Sequence, residues 1–429
     1  MPGLITSKSE KYIRKKVLVF SLILAALFFT SCATHQGRLS PAKKLLLSGD
    51  CDGANKILEE LSLQKSDNRL LYLMEYGSAL QVCKDYKKSN QIFLEADKVS
   101  EQVDYTSVSN LTGAALLNEE MIQYKGDTFE KLFINISAAL NFIELSQFDE
   151  AMVEVRRINE KYNKFSAEEK HSFELNSFAQ YLAGLIWEAD FKYDDACIAF
   201  QAAFKLDPSY RSVGLDMLAA CYRAKRYQEY NKLASEFEPS DEELKFIKRK
   251  NNSKNGREKI IVYLQGLGPR KAPRPGARLY PYLVPSYNIT KKILISYQDE
   301  NDVPLTKTSQ SVYSVEKAAI ATQEADYSAL GARRLGARVA KEVMADQLRQ
   351  KNKAVGDVAW LVMVASERAD LRNWSLLPES IQIIRFNPLK NTKVKITGLN
   401  QQNAESEVLA EIDLCTQQDK KIYLVRTIK

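Results

Sequence analysis

With 429 residues, 45% of them apolar and 27% charged, the chain is longer than one hydrophobic core serves, and two or more domains are expected. Its formal charge of +7 is concentrated near the N-terminus, where residues 1–31 hold five Lys and Arg against Glu10 alone, so bulk charge gives no reason to expect nucleic acid. Only two histidines are present, His35 and His171, and the six cysteines form no CxxC pair; a multi-histidine metal site or a Ser-His-Asp triad has almost nothing to draw on, and no cofactor, metal or small-molecule substrate is expected.

Lys8, Lys11, Arg14, Lys15 and Lys16 precede an apolar run from Val17 to Phe29 broken only by Ser21. The run is shorter than the ~20 residues that span a bilayer as a helix, and small residues close it, which reads as an export signal. Phe29-Thr30-Ser31-Cys32 resembles a bacterial lipobox, with Phe29 where Leu is usual. The resemblance implies a lipoprotein signal peptide over 1–31 and a lipidated Cys32 as the first mature residue, a membrane contact made through the N-terminal lipid. Ala33 stands beside it rather than Asp, which implies the outer membrane, facing the periplasm. Residues 32–40 then read as a lipidated polar tether. Pairing of the remaining cysteines is permitted in an oxidising compartment, and Cys51 and Cys83 fall in corresponding turns, but small buried residues are the preferred reading of all five.

From residue 41 to 250 the pattern is helical. Asp50-Cys-Asp-Gly53 makes a turn, and Ala54, Leu58 and Leu61 follow at helical spacing. Gly77, Leu80, Tyr86, Phe93 and Ala96 then match Gly184, Trp187, Tyr193, Phe200 and Ala203 in order and spacing, with Pro208 stopping the later unit. This resembles the tetratricopeptide repeat, a stacked helix-turn-helix unit of ~34 residues. Leu111–Met121 reads as a further helix, and Lys125-Gly-Asp127 as a stop followed by an N-cap. Another hairpin is expected over Phe129–Leu145 and Glu150–Tyr162, then a charged insertion and a weaker, capping unit around Tyr222, Tyr227 and Tyr230. Stacked hairpins leave a groove suited to peptides or partner helices, and Asn141, Glu144, Tyr181 and Glu188 are its candidate lining.

Residues 256–429 follow a different grammar and predict a smaller α/β domain with a largely antiparallel sheet, so the chain is mainly α with an α/β domain after the solenoid. Strands are expected at Lys259–Leu264, Ile293–Tyr297, Ile381–Phe386, Lys393–Ile396, Val408–Ile412 and Ile422–Val425, and a helix at Ala325–Leu348. The apolar run Val358–Ala365 fits either type. Residues 266–285 contain three Gly and five Pro and predict an extended loop. That loop belongs to the densest basic stretch, Lys245–Lys292, which carries a net charge of +12. Arg270, Lys271, Arg274 and Arg278 are candidates for docking anionic headgroups or an acidic partner. Asp370, Arg372 and Trp374 read as an interface anchor or, preferably, as an ion pair bracing a turn while Trp374 plugs a core.

Tyr124-Lys-Gly-Asp-Thr-Phe-Glu130, Ala139-Leu-Asn141 with Ala151–Asn159, Gly266-Leu-Gly-Pro269 and Ala369–Pro378 together resemble a family of uncharacterised bacterial lipoproteins that join tetratricopeptide-like repeats to a C-terminal α/β domain. The resemblance implies a cell-envelope protein working near peptidoglycan synthesis or outer-membrane biogenesis, and it brings no catalytic residues. The expected function is a non-enzymatic adaptor for other cell-envelope proteins. A peptidoglycan- or polysaccharide-processing enzyme using C-terminal carboxylates is the alternative.

Overall fold

The computed structural model describes residues 35–107, 123–167, 176–252, 258–299, 301–365, 367–389, 392–415 and 420–429. The expected signal peptide, Cys32, His171 and the helix expected at Leu111–Met121 lie outside the described residues. The segment expected as a tether is helical from His35, in α1 (His35–Ser48). Next comes α2 (Cys51–Ser62), capped by the Asp50 carboxylate, which accepts from Gly53 N–H at 2.9 Å.

Four helical hairpins follow: α3 (Arg69–Val82) with α4 (Tyr86–Ser107), α5 (Thr128–Glu144) with α6 (Phe148–Ala167), α7 (Ser177–Ala189) with α8 (Tyr193–Leu206), and α9 (Arg211–Arg223) with α10 (Tyr227–Phe237). All four turn alike. Lys84, Ser146, Phe191 and Lys225 take left-handed backbone, with φ of 63°, 59°, 62° and 61°. The following N–H reaches back five residues in every case: Asp85 to Leu80 O (2.9 Å), Gln147 to Phe142 O (2.8 Å), Lys192 to Trp187 O (2.9 Å) and Arg226 to Cys221 O (3.1 Å). An aromatic residue then opens the second helix, as Tyr86, Phe148, Tyr193 and Tyr227. The small residues read from the sequence explain the close packing within a hairpin. A Cβ on Gly184 would lie 2.4 Å from the Phe200 ring, and one on Gly77 2.8 Å from Phe93. A last helix, α11 (Asp241–Asn252), packs on α9.

Two disulfides correct the reading of the cysteines as unpaired. Cys51 joins Cys83 and Cys197 joins Cys221, with Cα–Cα distances of 5.9 and 4.7 Å, while Cys415 is exposed and free. Cys51 begins α2 and Cys83 follows the end of α3, so antiparallel neighbours bring them to the same edge of the stack. Cys197 near the start of α8 and Cys221 near the end of α9 repeat the arrangement.

The C-terminal strands form two four-stranded sheets and a separate hairpin rather than one sheet. The first sheet has the order β10 (Ile422–Arg426), β1 (Lys259–Gln265), β7 (Ser380–Phe386), β6 (Gln310–Ser314); β1 runs parallel to β10 and antiparallel to β7. The second has the order β5 (Pro304–Thr308), β4 (Lys292–Gln298), β8 (Lys393–Leu399), β9 (Glu405–Asp413), all antiparallel. Ile261 and Tyr263 of β1, Ile384 and Phe386 of β7, and Ile295 and Ile396 of the second sheet share the core between them. The opposite face of the first sheet meets α5, α7 and α9. That double covering explains why all seven residues of β1 are buried.

The Pro- and Gly-rich segment is a β-hairpin, not the expected extended loop. Strands β2 (Arg270–Arg274) and β3 (Ala277–Val284) pair with Pro273 opposite Pro281, and Gly276 turns the chain with φ of 76°. A two-stranded ribbon has two open edges, so prolines can sit where no ladder bond is lost. Between β6 and β7 stands a second hairpin made of α12 (Val315–Lys351) and α13 (Lys353–Ala365), which resolves the ambiguous run at Val358 as helix.

Replacing Cys51 and Cys83 together by Ser should lower the unfolding free energy by about 2–4 kcal/mol, because the bond restricts the unfolded chain. Urea titrations of parent and variant, each extrapolated to water with its own slope, would measure it.

Candidate functional site on the first-helix face of the repeats

The first helix of each hairpin turns carboxylates toward the C-terminal domain. Five matter here: Glu75 on α3, Glu130 and Glu144 on α5, Glu188 on α7 and Asp216 on α9. All except the half-buried Glu144 are buried. A carboxylate removed from water needs donors, and the C-terminal domain supplies them.

At one end the segment after α13 enters the repeats. Trp374 is buried, its ring centroid 5.9 Å from Phe93 and 6.4 Å, edge-on, from Phe133. Its indole N–H donates to Ser78 Oγ at 2.9 Å. The Trp374 backbone N–H donates to Glu130 Oε1 at 3.0 Å, and that of Ser375 to Glu75 Oε1 at 2.6 Å. The other Glu130 oxygen accepts from Tyr124 Oη (2.7 Å) and from Asp127 N–H (2.9 Å), which also closes a capping box on α5. Arg372 pairs with Asp370 at 2.7 Å, donates to Asn68 Oδ1 at 3.0 Å and lies 5.4 Å from the Tyr124 ring centroid. Asn373 Nδ2 donates to Pro269 O at 3.2 Å, and Gly268 N–H to Leu377 O at 2.7 Å. Three of the stretches that carried the family resemblance therefore meet at this one place. Trp374 thus fills a core that lies between the repeats and the C-terminal domain.

Farther along the face, Arg385 of β7 is buried against Glu188 (2.8 Å), Asp216 (3.1 Å) and Glu258 (2.9 Å). Burial alone would lower its pKa, but Asp216, Glu188 and Glu258 outweigh it and hold the guanidinium charged. Tyr181 Oη donates to Asp216 Oδ2 at 2.6 Å, so it supports this cluster from behind. Glu144 accepts from Leu424 N–H at 2.6 Å and pairs with Lys420 at 2.7 Å. Asn141 lies deeper, accepting from Gln81 and donating to Ser89 Oγ, each at 2.8 Å, and so ties α5 to the preceding hairpin. Thus Glu144 and Glu188 face the chain's own C-terminal domain, and Asn141 and Tyr181 act between repeats.

The four basic candidates separate. Lys271 turns toward the repeats, 3.9 Å from Asp127; burial opposes its charge, but Asp127, Glu130 and Asp370 prevail and raise its pKa. Arg274 stacks over Tyr327 at 4.6 Å and, with Arg270 and Arg278, is exposed. Sequence reasoning missed Glu75, Ser78, Glu130 and Arg385. Glu75 had a signal, since it is the one charge in the run Leu70-Leu-Tyr-Leu-Met-Glu-Tyr76, which is otherwise apolar or aromatic.

No family model matches the chain, and no curated protein matches it. Among solved structures it is similar to MamA 41-end from Desulfovibrio magneticus RS-1, at 15% identity over 51% of this chain and 95% of that chain, with a TM-score of 0.31. A putative kinesin light chain with nearly identical TPR-like repeats from Podosopora anserina matches at 12% identity over 52% and 98%, with a TM-score of 0.33. BtubC (BKLC) from P. vanneervenii matches at 13% identity over 58% and 90%, with a TM-score of 0.34. Superpositions this loose carry no argument; the four hairpins with their common turn themselves define a tetratricopeptide-like helical-repeat protein.

Trp374→Ala should cost about 3–5 kcal/mol and should speed amide hydrogen exchange in α4 and α5, where the ring packs. Glu75 gives a pH dependence. Burial, opposed by the Ser375 donor and Lys43, raises its pKa from 4.5 to about 7. Between those values the folded chain keeps a proton that the unfolded chain has lost. Stability should therefore fall as pH rises from about 4.5 to about 7, by roughly 3 kcal/mol, and level off above. Glu75→Gln keeps the acceptor for Ser375 and should flatten that slope in denaturant titrations across the pH range.

Proposed function

We propose that this chain is a lipid-anchored scaffold of the bacterial cell envelope, held on the periplasmic face of the outer membrane through Cys32 and binding other envelope proteins. One observation carries the scaffold reading: the first-helix face is closed by the chain's own C-terminal domain through Glu75, Glu130, Glu144, Glu188 and Asp216. A partner therefore meets a preassembled body rather than an open groove, and the surfaces offered to it are the second helices and the outside of the C-terminal domain. Helical-repeat surfaces suit protein partners. The two disulfides support an oxidising compartment, and the lipobox resemblance supports the anchor.

Two measurements test this. In cells, the full chain should incorporate a fatty-acid probe and Cys32→Ala should not; equal labelling of both ends the anchor reading. Crosslinking in intact envelopes should give discrete complexes of the parent chain with envelope proteins. Release of soluble muropeptides from purified sacculi by the pure protein would replace the scaffold with an enzyme.

A further inference from the structure

The hairpin of α12 and α13 presents an apolar surface that none of the described residues covers. Leu335, Val339 and Val343 recur every four residues and form one stripe along α12; Leu335 is 68% exposed and Val339 65%. On α13, Val358, Leu361 and Val362 form a second stripe, with Leu361 65% exposed. Scattered exposed apolar residues are ordinary, but two continuous stripes on adjoining helices are not.

The charges around the stripes indicate what covers them. Glu342, Asp346 and Asp357 share Arg349, at 2.7, 2.6 and 2.8 Å, and Glu367 pairs with Lys341 at 2.9 Å, yet residues 315–365 hold eight Lys and Arg against six Asp and Glu, so the hairpin is net positive. Arg338, Lys351 and Lys353 are exposed and have no ion-pair partner among the described residues. The β2–β3 hairpin is seated on the same helix, with Tyr327 Oη donating to Pro281 O at 2.6 Å, and adds the exposed Arg270, Arg274 and Arg278. The uncompensated charge beside the apolar stripes is therefore positive. A second copy would bring those same cations against themselves, whereas an anionic lipid surface complements both the stripes and the charge. Among the described residues no helix is long and apolar enough to cross a membrane, so the geometry is interfacial.

We propose that the α12–α13 hairpin docks on an anionic bilayer, with Leu335, Val339, Val343, Val358, Leu361 and Val362 in the acyl boundary and the free Arg and Lys side chains against phosphate headgroups. This deepens the membrane-bound reading without depending on Cys32, since the surface needs no lipid on the protein.

The test uses the chain from residue 35 onward, which contains every described element and whose span Ala42–Lys429 is one compact unit, so neither the lipid nor the apolar leader contributes. Its binding is measured by co-flotation with vesicles of phosphatidylcholine plus phosphatidylserine and of phosphatidylcholine alone. The parent should bind the anionic vesicles more tightly. Val339→Glu with Leu361→Glu should weaken that binding at least about tenfold, because two exposed apolar contacts are lost. Arg338→Gln, Lys351→Gln and Lys353→Gln together should weaken it by roughly 10- to 100-fold on anionic vesicles only. Superimposable circular-dichroism melts of parent and variants would show that the exposed substitutions leave the fold intact. Equal binding by parent and both variants overturns the proposal. So does a parent that floats with neither vesicle but forms a dimer in solution that Val339→Glu with Leu361→Glu dissolves; the stripes are then a contact between copies. Failure here leaves the fatty-acid labelling of Cys32 unaffected, so the two readings fall separately.

Discussion

Buried carboxylates on the first helices of the repeats dictate where everything after them must lie. Desolvation makes such groups costly unless donors meet them with good geometry, and removing one partner from a buried pair costs more than the pair contributes. Here the donors are spread over three distant segments of the C-terminal domain: the backbone around Trp374, the Arg385 guanidinium and the strand at Leu424. The first sheet is consequently fixed in register as well as position. A slip of one residue in β7 would carry Arg385 to the inter-sheet core and Ile384 to the carboxylates.

This changes how the repeats behave as a stack. Solenoids draw stability from nearest neighbours, and the Gln81–Asn141–Ser89 knot is a contact of that kind. Trp374 and Arg385 instead both belong to the C-terminal domain, which meets α3, α4 and α5 at one end and α7 and α9 at the other. The disulfides add staples between neighbouring hairpins rather than within them, since Cys51–Cys83 joins α2 to the end of α3 and Cys197–Cys221 joins α8 to α9. Non-neighbouring repeats are therefore coupled, and cooperative behaviour extends across the whole set.

What could be read from the sequence was what local sterics impose. Gly184 against Phe200 and Gly77 against Phe93 are demands within one hairpin, so spacing revealed them. The run Ile260-Ile-Val-Tyr-Leu264 announced a strand, although its uninterrupted apolarity also meant two covered faces, a clue left unused. The first-helix face was not legible because its partners lie hundreds of residues away: a glutamate in a helix and a backbone N–H at Ser375 carry no mutual spacing. Arg385 inside Ile381-Gln-Ile-Ile-Arg-Phe386 was a further signal of the same kind as Glu75, a charge in a segment that has no cheap place for one. Composition misled at residues 266–285, since proline content describes lost donors and not whether those donors were needed.

Strand β10 has a consequence for how the molecule comes into being. It pairs with β1 more than a hundred residues earlier and gives Glu144 a donor across a separation of 280 residues. The repeats are synthesised first, and Glu144 gains its backbone donor only once β10 has been made; contacts so far apart in sequence make that step slow. A chain interrupted just short of Ile422 would leave the apolar β1 as an open sheet edge and Glu144 without its backbone donor. The truncated product would be a sticky intermediate rather than a smaller working protein, because β1 and the repeats both depend on a strand made long after them.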